Sequence, residues 1–142
     1  MFLFLTLVTI LSIGATSIVS AHKQENAKPE TIKSETFALH TGKQKKVARG
    51  ELTIKFVAVM EDSRCPVGVN CISAGNAKIQ VKVTDRRGQT KTMELNTNSR
   101  AKGDQFESYT INLVSLTPKP KQGSNPARAR YSAEFSVQRS SS

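Results

Sequence analysis

The chain has no tryptophan, two tyrosines, two histidines and two cysteines among its 142 residues. Each scarcity removes a class of function. With so little ring surface for bases to stack on, and no recognition-helix or sheet-aromatic motif, nucleic acid is not an expected partner. The only cysteines are Cys65 and Cys71 and the only histidines His22 and His40, which argues against a zinc site needing four ligands in paired spacing. Neither a metal nor a cofactor is expected. There is no nucleophile elbow, no Gly-rich phosphate loop and no HExxH stretch. Glu61 and Asp62 are adjacent, so in a strand they point to opposite faces and make a poor acid and base pair. The expectation is therefore a protein that is not an enzyme and has no catalytic residues. A hydrolase with a site of unfamiliar form, for instance a Ser/His/Asp trio using His40 and Asp62, stays open as an alternative.

Charge is absent from the first 21 residues, MFLFLTLVTILSIGATSIVSA, whose apolar run ends in the small residues Val19-Ser20-Ala21. This reads as a secretory signal peptide over 1–21, cleaved after Ala21. A run of about 20 apolar residues could also span a bilayer. Six Ser and Thr residues dilute this one, however, and a cleavage-like triplet ends it, so no membrane span is expected once it is removed. All 21 Lys and Arg and all 11 Asp and Glu fall after it, so the formal charge of +10 belongs to the exported part. That charge favours an anionic envelope component through long-range attraction, with solubility alone as the plainer reading. The basic residues singled out, Lys43, Lys45, Lys46, Arg49, Arg86, Arg87, Lys119, Lys121, Arg128 and Arg130, fall mostly in expected turns.

Residues 22–34, HKQENAKPETIKS, are polar and charged, hold Pro29, and bury too little apolar surface to order themselves. They are expected to form a flexible leader to a single domain over 35–138, with 139–142 as a disordered tail. Within the domain, period-two alternation dominates. Leu52, Ile54, Phe56 and Ala58 alternate with polar neighbours; so do Ala77, Ile79, Val81 and Val83; Tyr109, Ile111 and Leu113; and Tyr131, Ala133, Phe135 and Val137. Asp85-Arg86-Arg87-Gly88 predicts a hairpin into a strand over 90–95. A weaker strand is expected around 35–41, and 96–104 is read as a polar loop. Pro118 and Pro120 exclude a central strand after the third run. No stretch longer than a turn has a helical period. The fold class expected is all-β: an antiparallel sandwich or partly open barrel of six or seven strands, monomeric by default.

The one dense stretch is Glu61 to Cys71, EDSRCPVGVNC. Two cysteines in an exported chain most simply pair, so Cys65 and Cys71 are expected to form a disulfide. Closing so short a loop contributes about 2 kcal/mol through the unfolded state. Pro66 and Gly68 supply the fixed and the permissive backbone angles such a loop needs. The spacing is not the CxxC of redox catalysis. Asp62, Arg64 and Pro66 are the candidate binding-loop residues. One reading has Asp62 accept backbone N–H groups while Arg64 bonds carbonyls or a carboxylate, bracing the loop. Another has Arg64-Cys65-Pro66 exposed and rigid enough to occupy the basic-specific pocket of a trypsin-like protease, making the chain an inhibitor.

The run DSRCPVGVNCISAGNA resembles a signature, roughly DSRCPxxxxCxWAGxA, of small uncharacterised bacterial secreted proteins and lipoproteins. The likeness extends over most of 45–138, through LTIKFVAVMEDSRCP, YTINLVSLTPKP and YSAEFSVQ. It departs at Ser73, where the signature has tryptophan, and in lacking a lipoprotein cysteine. The resemblance implies a secreted or periplasmic β-domain and brings no activity with it. The sequence thus predicts a binding or structural module whose partner is an anionic envelope component or a protein.

Overall fold

The computed structural model describes residues 34–98, 102–123 and 130–140. The expected signal peptide, the leader up to residue 33 and the final Ser141 and Ser142 lie outside the described residues. Among the described residues eight strands form: β1 (Glu35–His40), β2 (Gln44–Val47), β3 (Leu52–Asp62), β4 (Ala77–Asp85), β5 (Thr90–Asn96), β6 (Gly103–Phe106), β7 (Tyr109–Thr117) and β8 (Ser132–Arg139). They assemble into two four-stranded antiparallel sheets, ordered β1-β8-β7-β6 and β2-β3-β4-β5. The expected all-β sandwich is what forms. The count exceeds six or seven because β2 and β6 have only four residues each, too few to display an alternation. β6 also takes the end of the stretch read as a polar loop, and β2 carries Lys45 and Lys46, two of the basic residues expected to fall mostly in turns. β8 runs to Arg139 and Ser140 donates its N–H to the Ser108 carbonyl at 2.7 Å, so order extends past the boundary expected at 138.

Alternation explains the core. Along β4, Ala77, Ile79, Val81 and Val83 are fully buried while Lys78, Gln80 and Lys82 point away. From the facing sheet come Ile111, Leu113, Ala133 and Phe135. Phe135 ties the layers together, stacked on Phe37 with centroids 5.7 Å apart and edge-on to Phe56 at 6.1 Å. Each large side chain buried in this way contributes roughly 1.5–3 kcal/mol, offset by the entropy of ordering the chain. Among the described residues the one polar group in that core is the Tyr131 hydroxyl.

Bulges correct the expected alternation of β3. The register with β4 shifts between Phe56 and Ala58 and again between Val59 and Glu61, leaving Val57 and Met60 as the extra residues. Each extra residue swaps the faces beyond it. Ala58, expected inside, pairs with Gln80 on the outer face, while Val59 pairs with Ile79 on the inner one. The second bulge turns Asp62 inward, opposite buried Ala77, and leaves Glu61 outside opposite Lys78. A third bulge, between Leu113 and Ser115 of β7, returns Leu116 to the core beside Ala133. No helix among the described residues is long and apolar enough to cross a membrane.

Candidate functional site

β3 delivers Asp62 to the end of the sandwich with its carboxylate inside the fold. There the side chain is 0% exposed and its partner Arg64 only 11% exposed. The Arg64 backbone N–H and Nε both donate to Asp62 Oδ1, at 3.3 and 2.8 Å, and Nη2 donates to Oδ2 at 2.7 Å. The same guanidinium crosses to the other sheet, Nη1 donating to the Leu116 carbonyl at 2.6 Å and Nη2 to that of Pro118 at 2.8 Å. Tyr131, just before β8, donates its hydroxyl to Asp62 Oδ2 at 2.9 Å. Residues from both sheets thus close on one carboxylate, and this clasp holds the sandwich together where the core ends.

Burial alone would raise the Asp62 carboxyl, but the bonds from Arg64 and Tyr131 and the Arg64 charge outweigh it and hold the group below its ordinary 3.8. Burial, followed by the hydrogen bond to Asp62 and that carboxylate's charge, pushes Tyr131 from 10.0 up to about 12, with the Arg64 charge opposing. At neutral pH, then, the carboxylate is ionised and the phenol keeps its proton. The bracing role read from the sequence matches this geometry. An Arg64 so engaged does not project from the loop, as a residue entering a protease's basic-specific pocket has to.

The loop is built on this base. Ser63 donates its N–H to the Asn76 carbonyl at 2.7 Å and Cys65 donates to Ala74 O at 2.9 Å, so its two sides run together before it opens. Gly75 has φ +69, and a Cβ there would run into the Ser63 carbonyl. No other residue fits, because both the angle and the space exclude a side chain. Beyond it, Cys65 and Cys71 are disulfide-bonded with Cα atoms 5.9 Å apart. Pro66 accepts the Val69 N–H at 3.3 Å across a turn whose third residue, Gly68, has φ +80. That angle at that place is what a type II turn requires of glycine. Val67 donates to the Pro120 carbonyl at 3.0 Å, docking the loop on the segment after β7. Ser73, where the resembled signature has tryptophan, is exposed, and its hydroxyl accepts the Gly75 N–H at 3.2 Å.

Beside polar Asn70 and Ser73, the loop offers apolar side chains to solvent. Ile72 is fully exposed, Val67 is 62% exposed and Val69 36%. The other candidate groups are not gathered here: His40 ends β1, exposed on an edge strand opposite Ser132, and no three His, Cys, Asp or Glu residues among the described ones cluster as metal ligands would. Sequence reasoning missed Tyr131, which it read as one more apolar position in an alternating run. The signal it carried was a phenol at a core position, since a buried tyrosine hydroxyl needs a partner. Ile72, Val67 and Val69 were missed as a group, since apolar residues scattered in a turn-rich loop show no period that tells exposed from buried. Comparisons of the chain with models of protein families, with curated proteins and with solved structures find no match.

Proposed function

We propose that this chain is an exported, non-catalytic binding module that presents the Cys65–Cys71 loop to a protein partner at the cell envelope or outside the cell. One observation carries the reading: Val67, Val69 and Ile72 stand in solvent on a loop whose base is fixed by a disulfide and a buried ion pair. Apolar side chains exposed together cost solubility and mark an interaction surface more often than ornament does. Holding them rigid lowers the entropy lost on association. Support for export comes from the uncharged apolar N-terminus ending in Val19-Ser20-Ala21, from the disulfide, which persists in oxidising compartments, and from the resemblance to secreted bacterial proteins.

The test places a photo-activatable residue at Ile72 and, in a second protein, at Arg87, and cross-links both in the compartment the chain reaches. A discrete adduct from position 72 alone is expected. The same set of adducts from both positions, or none from position 72, overturns the reading. Mass spectrometry of the exported chain should find a start at His22 and no free thiol.

A further inference from the structure

The outer faces of the two sheets differ in charge. On the β1-β8-β7-β6 sheet the outward positions, Thr36, Ser136, Asn112 and Glu134 among them, include no lysine or arginine among the described residues. The β2-β3-β4-β5 sheet turns Lys46, Lys55, Lys78 and Lys82 outward. Lys78 lies opposite Glu61 and pairs with Glu94 at 3.7 Å. Lys46, Lys55 and Lys82 enter no ion pair among the described residues.

The register makes this more than a count. Lys55 and Lys82 are direct cross-strand partners, on the same face of the two central strands. Their Cβ atoms are therefore about 5 Å apart, an arrangement that destabilises a sheet when the charges are alike. Lys46 follows diagonally on β2, where Gln44 is the residue opposite Lys55. Protection against edge-to-edge pairing explains a lysine on β2, which is an edge. It explains nothing at β3 and β4, whose edges are covered. A like-charged pair kept at the centre of a sheet is accounted for by an anion that lies over it.

The surroundings select the kind of anion. Thr53, Thr84, Thr92 and Gln80 flank the lysines, offering hydroxyls and an amide for neutral polar groups between charges. No aromatic ring among the described residues shares the face, so bases have nothing to stack on. The apolar side chains nearest the lysines on this face are the half-buried Val57 and Ala58 of the first bulge, too little surface to enter a bilayer; exposed Met60 lies beyond the second bulge, toward the loop. We infer that the outer face of the β2-β3-β4-β5 sheet binds a linear acidic polysaccharide, its carboxylates on Lys46, Lys55 and Lys82 and its hydroxyls on the intervening threonines. The inference concerns a surface apart from the disulfide loop and holds whether or not the loop has a partner.

Binding of polygalacturonate, a uronate homopolymer, to the purified protein tests it. The wild type should bind with an affinity that falls steeply as salt rises. Lys55→Gln with Lys82→Gln should weaken binding on the order of tenfold, and more at low salt than at high. Lys119→Gln with Arg130→Gln removes the same charge from elsewhere and should change binding less than about twofold. The Lys55→Gln, Lys82→Gln protein should melt no lower than the wild type, since it loses a repulsion. Should it melt lower, Lys55→Arg with Lys82→Arg replaces it; this pair keeps the charge and must bind as the wild type does. No binding by the wild type, equal weakening by both charge-neutral pairs, loss of binding in the arginine protein, or tighter binding to single-stranded DNA or phosphatidylglycerol vesicles than to the polysaccharide overturns the inference.

Discussion

The two ends of the sandwich are closed by different chemistry. At one end β4 turns into β5 through Asp85 to Gln89, where Gly88 donates to the Asp85 carbonyl at 3.1 Å and Asp85 donates to the Gln89 carbonyl at 2.9 Å. Arg86 reaches Glu51 at 2.9 Å, and Arg87 reaches Asp85 at 3.1 Å and Glu107 at 3.6 Å, with both arginines more than half exposed. At the other end one carboxylate, one guanidinium and one phenol meet out of water, and the carbonyls of a second sheet complete the arginine's bonds. A tight hairpin closes through its own backbone, so its ion pairs are incidental. The long connection from β3 to β4 is joined by backbone bonds at its base, Ser63 to Asn76 and Cys65 to Ala74, and beyond them holds its shape through Gly75, the disulfide and a buried ion pair. Equal distances at the two ends therefore stand for unequal energies.

The comparison breaks most sharply at Arg64. Arg64→Ala strips Asp62, whose own side chain is fully buried, of its charge partner and leaves the Leu116 and Pro118 carbonyls without that donor. Removing one member of a buried pair costs roughly 3–5 kcal/mol. Denaturant unfolding should show a loss of that size with the slope unchanged; a loss below about 1 kcal/mol would place the clasp in the same class as a surface pair.

How much of this was legible follows from the range of each signal. The strand 77–84, the hairpin at Asp85 and the disulfide are local patterns, and the structure has them. So, in kind, is the bracing by Asp62 and Arg64, since residues two apart around a turn commonly share bonds. The bulges at Val57 and Met60 were hidden, because an alternation read along one strand assumes the partner keeps step. They moved Ala58 outward and left Met60 in solvent. Tyr131 lies 69 residues from Asp62, beyond any local rule. Lys55 and Lys82 were passed over because each looks like an ordinary outward residue; only the pairing of β3 with β4 makes them neighbours.

A smaller effect separates the ends by pH. Tyr131 titrates near 12 when folded against 10.0 otherwise, so the unfolded state loses the proton first as pH rises. Its contribution is fully present below pH 10 and is lost between 10 and 12. Two pKa units correspond to about 2.7 kcal/mol. The stability difference between wild type and Tyr131→Phe should shrink by up to that amount across the window, while lysine titration affects both proteins alike. A difference that stays constant from pH 9 to pH 12 means that the phenol is not bound to the Asp62 carboxylate. On the acid side the sign reverses: Asp62, held below 3.8, stabilises the fold above that pH, and its contribution is lost as pH falls below it.

The smallest effect is expected at the hairpin, and its smallness is the point. Arg86 meets Glu51 at 2.9 Å, nearly the 2.7 Å of the clasp, but the side chains are 60% and 44% exposed. Water solvates both charges before and after the pair forms, so Arg86→Gln should cost less than about 0.5 kcal/mol and less still in 1 M salt. Its long bonds to the Gly50 and Arg49 carbonyls, both 3.4 Å, add little at a solvent boundary. Thermal melts at low and high salt check this beside Arg64→Ala, whose loss should barely respond to salt because its pair is shielded from ions. If instead Arg86→Gln lowers stability as much as Arg64→Ala, exposure does not divide the two ends, and the hairpin, for all its backbone closure, depends on its charges as the disulfide loop does.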